Sequence, residues 1–264
     1  MNRLKKIITL IPFFFLGFYQ ASLHAHPTTI KMTIEKIIHE GPKRFVILKL
    51  SDKKTHQAIT LNDLKKVHTQ KIHMLVIDES LTDYSHAHPV ATKEAGVYEF
   101  TWEPKKNATN YKIWADLVPV NTNQQEYIVT DLYRTKKTKA KVTSKLNTLA
   151  KVEGYTFKLA FEPAKLEQQK AAMGEITIYD AKGKPVHNLA PLMGAFAHIV
   201  AFSEDFKTVL HVHPMGKEPT KASDRGGPTI RFHLEPQHSG YIKLFAQIKI
   251  DGKEIIAPFG LKVV

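Results

Sequence analysis

Apolar and polar residues alternate over short runs along most of the chain. Few segments have apolar residues at the 3.6-residue spacing of a helix. The runs are separated by turn-forming residues, as at Asp251-Gly252. Many short strands with turns between them are typical of antiparallel β-sandwiches rather than of a parallel α/β sheet. We therefore predict nine strands, at 45–50, 72–78, 96–102, 111–117, 155–161, 175–179, 197–202, 229–234 and 241–248.

The N-terminal segment has a different pattern. Basic residues within the first six positions precede a mostly apolar run at 7–18, and a short, more polar stretch follows up to Ala25. This is the order of regions in a secretory signal peptide, which we assign to residues 1–25. The apolar run is too short to span a bilayer comfortably. We expect a periplasmic or secreted protein, with an uncleaved N-terminal anchor as the alternative.

An internal repeat divides the rest of the chain in two. A shift of 125 residues places 64–89 on 189–214 without a gap, and six of the 26 paired positions are identical, three of them histidines. Two copies of one β-domain are the economical interpretation. We therefore predict two tandem antiparallel β-sandwich domains, at 26–135 and 147–264, joined by a basic linker at 136–146.

The repeated histidines share a spacing that can hold a metal ion. Each repeat carries a His, twelve intervening residues and then His-x-His-Pro. If residues 79–82 form the loop of a hairpin, His73 lies opposite His88, and His86 follows two residues along on the same face. Opposed Cβ atoms are about 5 Å apart and diagonal ones roughly 7 to 8 Å, so three imidazoles can converge on one ion. The candidate ligands are His73, His86, His88, His198, His211 and His213.

The alternative is that duplication copied structural histidines. However, the four residues that follow the first His of each triplet have all changed between the repeats, while the three imidazoles remain. Further candidates are His68 and Met193, which occupy equivalent places five residues before each triplet, and His26, the predicted new N-terminus. Asp116 is a candidate for orienting a ligating imidazole, although Gln247 stands at its place in the second repeat.

Composition narrows the chemistry. The chain has no cysteine and 14 histidines, so imidazole is the main ligand type available, and copper or zinc is the expected metal. The net charge is +13, of which three cations belong to the predicted signal peptide. A basic exported protein is expected to meet envelope proteins or anionic surface polymers, not nucleic acid. No glycine-rich phosphate loop or nucleophile elbow is present, so we assign no catalytic or cofactor-binding residue.

The His-x12-His-x-His-Pro spacing and its surroundings resemble a family of exported bacterial two-repeat proteins proposed to bind copper or other heavy metals. The resemblance covers most of the mature chain and lies in six segments, at 68–73, 86–89, 111–116, 183–186, 193–198 and 211–214. It implies immunoglobulin-like sandwiches and an envelope location.

Three functions follow as hypotheses. The first is a non-enzymatic exported protein that binds copper or zinc for resistance, buffering or delivery, with binding that weakens below the imidazole pKa of about 6.5. The second is a metalloenzyme, superoxide dismutase-like or cupin-like, because three histidine ligands leave an open coordination position. The third is a periplasmic interaction module of the pilus-chaperone type. Whether each domain holds its own ion, or both contribute to one site, stays open at this point.

Overall fold

The computed structural model describes residues 28–67, 69–106, 109–133, 142–212 and 214–264. The predicted signal peptide, His26, His68, His213 and part of the predicted linker lie outside the described residues. No helix among the described residues is long and apolar enough to cross a membrane.

The first unit is a sandwich of two antiparallel sheets, in the orders β1-β2-β6-β5 and β4-β3-β7-β8. This division of eight consecutive strands is that of an immunoglobulin-like domain. Its strands are β1 (Ile30–Glu40), β2 (Lys43–Asp52), β3 (Ile72–Asp78), β4 (Tyr84–Ala87), β5 (Val90–Ala91), β6 (Val97–Trp102), β7 (Tyr111–Leu117) and β8 (Glu126–Tyr133), with a short 3-10 helix at Leu61–Asp63.

The second unit repeats this arrangement. One sheet has the order β15-β11-β10-β9, and in the other β16 lies between β13 and β17, with β14 beyond β13 and β12 beside the end of β16. The fold predicted from the sequence, two tandem immunoglobulin-like β-sandwiches, is confirmed. The strands are β9 (Leu149–Val152), β10 (Tyr155–Glu162), β11 (Ala172–Tyr179), β12 (Leu189–Ala190), β13 (His198–Ser203), β14 (Val209–Val212), β15 (Thr229–Leu234), β16 (Gly240–Ile250) and β17 (Lys253–Val263).

Each sandwich has its own apolar core, and a third apolar cluster joins the two sandwiches. Strand β3 is buried along its whole length because alternate side chains point in opposite directions: Met74 lies in the core of the first sandwich, whereas Leu75 faces the second. Strand β13 does the same, with Val200 facing the first sandwich. Tyr84 stacks on Phe245 across this interface, with ring centroids 4.9 Å apart. The two histidine hairpins therefore lie against each other, on facing sheets.

Candidate metal centre

The hairpins have the predicted register. Strands β3 and β4 place Met74 opposite Ala87, and the same register continued by one residue puts His73 opposite His88. The loop is the four residues 79–82, since the amide of Asp78 donates to the carbonyl of Asp83. In the second unit Ile199 lies opposite Val212, so the register is conserved between the repeats, although His213 itself lies outside the described residues.

The histidines of the two repeats meet at the interface between the sandwiches. The ring centroid of His211 lies 5.1 Å from that of His73 and 5.2 Å from that of His86. His86 also lies 5.3 Å from His198 of the other unit. Five of the six predicted ligands thus form one cluster to which both units contribute. A pattern of repeats in sequence does not predict this, because it is equally compatible with two separate sites.

Two groups of three imidazoles could each hold a metal ion. His73, His86 and His88 form the first group, and His86, His198 and His211 form the second; within each, the ligand nitrogens all lie within 4.8 Å of one another. Nδ1 of His73 is 3.2 Å from Nε2 of His86 and 3.1 Å from Nε2 of His88. Tetrahedral ligands at about 2.05 Å from an ion lie about 3.3 Å from one another, so the first group already has suitable spacing.

Two backbone carbonyls fix the orientation of the first histidine in each repeat. Nε2 of His73 lies 3.1 Å from the carbonyl oxygen of Val67, and Nε2 of His198 lies 3.0 Å from that of Leu192. A carbonyl only accepts, so in both rings Nε2 carries the proton and Nδ1 presents its lone pair. The two carbonyls are 125 residues apart, so the repeat includes the orienting group as well as the histidine.

A carboxylate fixes a third imidazole. Oδ2 of Asp116 lies 2.7 Å from Nδ1 of His211, and Oδ1 accepts a hydrogen bond of 2.8 Å from the amide of Gln125. Ligating histidines usually donate their outer N–H to a carbonyl or a carboxylate in this way, which leaves the inner nitrogen for the metal. Asp116 thus has the orienting contact predicted for it, but to the opposite unit, although His73 lies directly opposite it on β3.

Sequence reasoning missed Tyr127, whose hydroxyl accepts a 3.3 Å hydrogen bond from the backbone amide of His211. No motif marks this residue, because its contact exists only once the two sandwiches have docked. Burial and the nearby Asp116 hold the pKa of its hydroxyl well above the ordinary value, so it stays protonated.

A family model built on one repeated domain matches residues 24–131 and 150–264 of this chain. The chain belongs to the DUF8832 family, whose domain has no known function. No curated protein matches the chain. Each DUF8832 copy contributes one of the two histidine hairpins described above.

Among solved structures, the chain is similar to the Escherichia coli adhesin FdeC, at 13 % identity and a TM-score of 0.28, over 89 % of this chain and 64 % of the adhesin. The chain thus spans less than two thirds of that structure. It is also similar to MtrC from Shewanella baltica, at 6 % identity and a TM-score of 0.28, over 89 % of this chain and 70 % of MtrC. Domains 4 and 5 of the S-layer protein SbsC match at 11 % identity and a TM-score of 0.22, over 90 % of this chain and 98 % of that one.

Burial makes three of the clustered imidazoles, His86, His88 and His198, hard to protonate. It lowers the pKa of His88 to about 4 and that of His198 to about 3, and neighbouring imidazoles add to the effect. The same two causes, burial first, hold the pKa of His86 well below its ordinary value. These rings are therefore neutral at pH 7, with lone pairs available to a metal ion. Proton competition for these nitrogens is accordingly expected below the ordinary imidazole value of about 6.5.

The two DUF8832 copies differ around the cluster. On β16, Gln247 lies opposite His198, in the place that Asp116 takes opposite His73 on β7. The side-chain amide of Gln247 donates a 2.9 Å hydrogen bond to the carboxylate of Glu254. Met193 lies in the turn between Leu192 and Ala195, with a φ of 50°. The structure gives Met193 a place in that turn, and its role as a ligand stays a prediction.

Proposed function

We propose that this DUF8832 protein is an exported, non-enzymatic protein that binds copper or zinc through the histidine cluster, for metal resistance, buffering or delivery. The observation that carries the proposal is the outward anchoring of His73, His198 and His211 on two carbonyls and one carboxylate, which turns their other nitrogens inward. Buried imidazoles need hydrogen-bond partners in any role, so the direction of the anchors is what supports the proposal: the candidate ligand nitrogens form two groups of three within 4.8 Å of one another.

The ligand atoms of the cluster also suit the proposed metals. It offers neutral imidazoles and no thiolate, which suits Cu(II) and Zn(II). A buried imidazole nitrogen without a hydrogen-bond partner, such as Nδ1 of His86 among the described residues, is costly, and an ion would compensate for this cost. His88 is only partly buried, which leaves the first group within reach of solvent. The pilus-chaperone alternative gives no reason for this arrangement.

Equilibrium dialysis with Cu(II) or Zn(II) tests the proposal on the chain that begins at His26. The unaltered protein should take up metal, and the double variant His86→Ala, His211→Ala should lose most of that uptake because it removes ligands from both groups. His187→Ala is the matched control and should bind as the unaltered protein does, because His187 is exposed and belongs to neither group of three histidines. Negligible uptake by the unaltered protein, or equal uptake by the double variant, would contradict metal binding at this centre.

A further inference from the structure

We propose that the centre holds two metal ions that share His86, with Nε2 bound to the ion of the first group and Nδ1 to the ion of the second. This inference rests on the proposed metal-binding function and adds to it the number of ions and the bridge between them.

The position of His86 carries the inference. It is the one residue common to both groups of candidate ligands. Its Nε2 lies beside Nδ1 of His73, in the first group. Its Nδ1 is buried and has no hydrogen-bond partner among the described residues. The rings of His198 and His211 lie at 5.3 and 5.2 Å from the His86 ring, both at steep interplanar angles. A second ion would give Nδ1 the partner it lacks.

A single ion accounts less well for the geometry. The two nitrogens of one imidazole point away from each other, so they cannot bind the same ion. Zinc takes four ligands in most protein sites, whereas this cluster presents five described imidazoles in two groups of three. With two ions, each ion has three histidine ligands and keeps an open position. Ions on the two nitrogens of one ring lie roughly 6 Å apart, since each metal–nitrogen bond is about 2.0 Å long.

The two ions would have different structural consequences. All three ligands of the first ion come from the first sandwich, because His73 and His88 accompany His86 there. The second ion joins the sandwiches, because it takes His86 from the first and His198 and His211 from the second. To bind through both nitrogens, neutral His86 must release its one ring proton to solvent. Binding of the second ion is therefore coupled to the release of that proton.

Titration with Cu(II) alone, followed by electron paramagnetic resonance, tests the bridge. We expect the unaltered protein to bind two equivalents. The integrated Cu(II) signal should rise up to one equivalent and be largely lost at two, because an imidazolate bridge couples the two unpaired electrons antiferromagnetically.

Single variants separate the two positions. His88→Ala removes a ligand of the first ion only and His198→Ala a ligand of the second only, so each should bind one equivalent with its full signal. His86→Ala should weaken both positions and abolish the coupling, and His187→Ala should retain two coupled ions. Circular dichroism checks the fold of each variant, and a glutamine substitution at the same position replaces any alanine variant that does not fold.

The outcomes distinguish this inference from the function on which it rests. Binding of one equivalent by the unaltered protein, or of two with an undiminished signal, would overturn the bridge and leave metal binding intact. Absence of bound Cu(II) would overturn both. Two coupled ions that persist in His86→Ala would overturn the assignment of the bridge to His86.

Discussion

At the residue scale, the centre depends on which nitrogen of each imidazole is held from outside. Val67 and Leu192 hold Nε2 of the first histidine in each repeat, and Asp116 holds Nδ1 of His211. The position of the acceptor decides which ring nitrogen is anchored. It is Nε2 in His73 and His198 and Nδ1 in His211, so the nitrogen left for a metal ion also differs between them. This preorganisation is what a metal centre requires, because an ion needs the lone pairs to converge before it binds.

The substitution Asp116→Asn tests the carboxylate. Asparagine keeps the shape and an acceptor oxygen but removes the negative charge that strengthens the contact with His211. We expect the affinity for Cu(II), measured by isothermal titration calorimetry, to fall roughly 10- to 100-fold. Asp131→Asn is the control, since Asp131 is more exposed and pairs with Lys112 at 2.9 Å. Unchanged affinity in Asp116→Asn would exclude an orienting role.

The lowered pKa values predict how the metal-free protein responds to acid. The pKa of His198 is about 3 in the folded chain and about 6.5 in the unfolded chain, so the unfolded state takes up the proton first. The contribution of neutral His198 to stability is complete above pH 6.5 and is lost as pH falls towards 3. Urea unfolding between pH 7 and pH 5, where most carboxylates stay ionised, should give a decreasing free energy of unfolding. His198→Gln should show a shallower decrease, and an equal slope in both proteins would contradict the assignment.

The sequence predicted most of the histidines that cluster but not all of their hydrogen-bond partners. Strand alternation and a four-residue loop are enough to place His73, His86 and His88 on one face, because both rules act within a single hairpin. They do not place Asp116, which lies opposite His73 on β7, because β7 does not follow β3 along the chain. They carry no information about His211, which reaches Asp116 only across the interface.

At the element scale, two matching turns support the centre and touch each other. In the first turn Val67 and Gln70 pair, and in the second Leu192 and Ala195 pair. Gly194, in the second turn, has a φ of 84°, and a Cβ atom at this position would lie 2.4 Å from Cγ2 of Thr69 in the first. The glycine therefore serves both the left-handed backbone and the close approach of the sandwiches.

Gly194→Ala should reduce the free energy of unfolding through both effects. Gly183→Ala separates them, because Gly183 has a φ of 76° and no atom within 4 Å of the added Cβ, so it measures the backbone cost alone, about 1 to 2 kcal/mol. We expect Gly194→Ala to be the more destabilising in urea unfolding, and Thr69→Ser, which removes the opposing methyl group, to restore part of the difference. Equal losses in the two alanine variants would show that the turns do not constrain each other.

Nine of the seventeen strands among the described residues were predicted from the sequence, and eight were not. All nine predicted strands are present, but β17 was missed because it contains Pro258 and Gly260. Among the described strands this one pairs only with β16, apart from single bridges at Gly260 and Val263, and proline is tolerated at such an edge because it need not donate to a second neighbouring strand. No strand was predicted at β1, β4, β5, β8, β9, β12 or β14 either. Strands β4 and β14 have only four residues each, one of them a histidine of the triplet, whereas β1 and β8 are longer and contain no glycine or proline.

At the scale of the whole molecule, two apolar runs in the sequence bear on the docked arrangement of the sandwiches. Residues 74–77 and 199–202 are continuous apolar runs rather than alternating ones, which indicates burial on both faces of a strand. A sandwich sheet covers only one face, so the other face of β3 and of β13 needed a partner. Each strand supplies that partner to the other, and the histidine at the start of each run is thereby brought into the common cluster.

The interface should therefore control metal binding independently of overall stability. Phe202 is fully buried between the sandwiches, where it contacts Tyr84 and Trp114, whereas Phe157 is equally buried in the core of the second sandwich. Both Phe202→Ala and Phe157→Ala should cost roughly 3 to 5 kcal/mol in urea unfolding. Only Phe202→Ala should also weaken Cu(II) binding at the second group, whose ligands come from both sandwiches. If calorimetry gave the two folded variants the same Cu(II) affinities, the docked interface would have no part in assembling the centre.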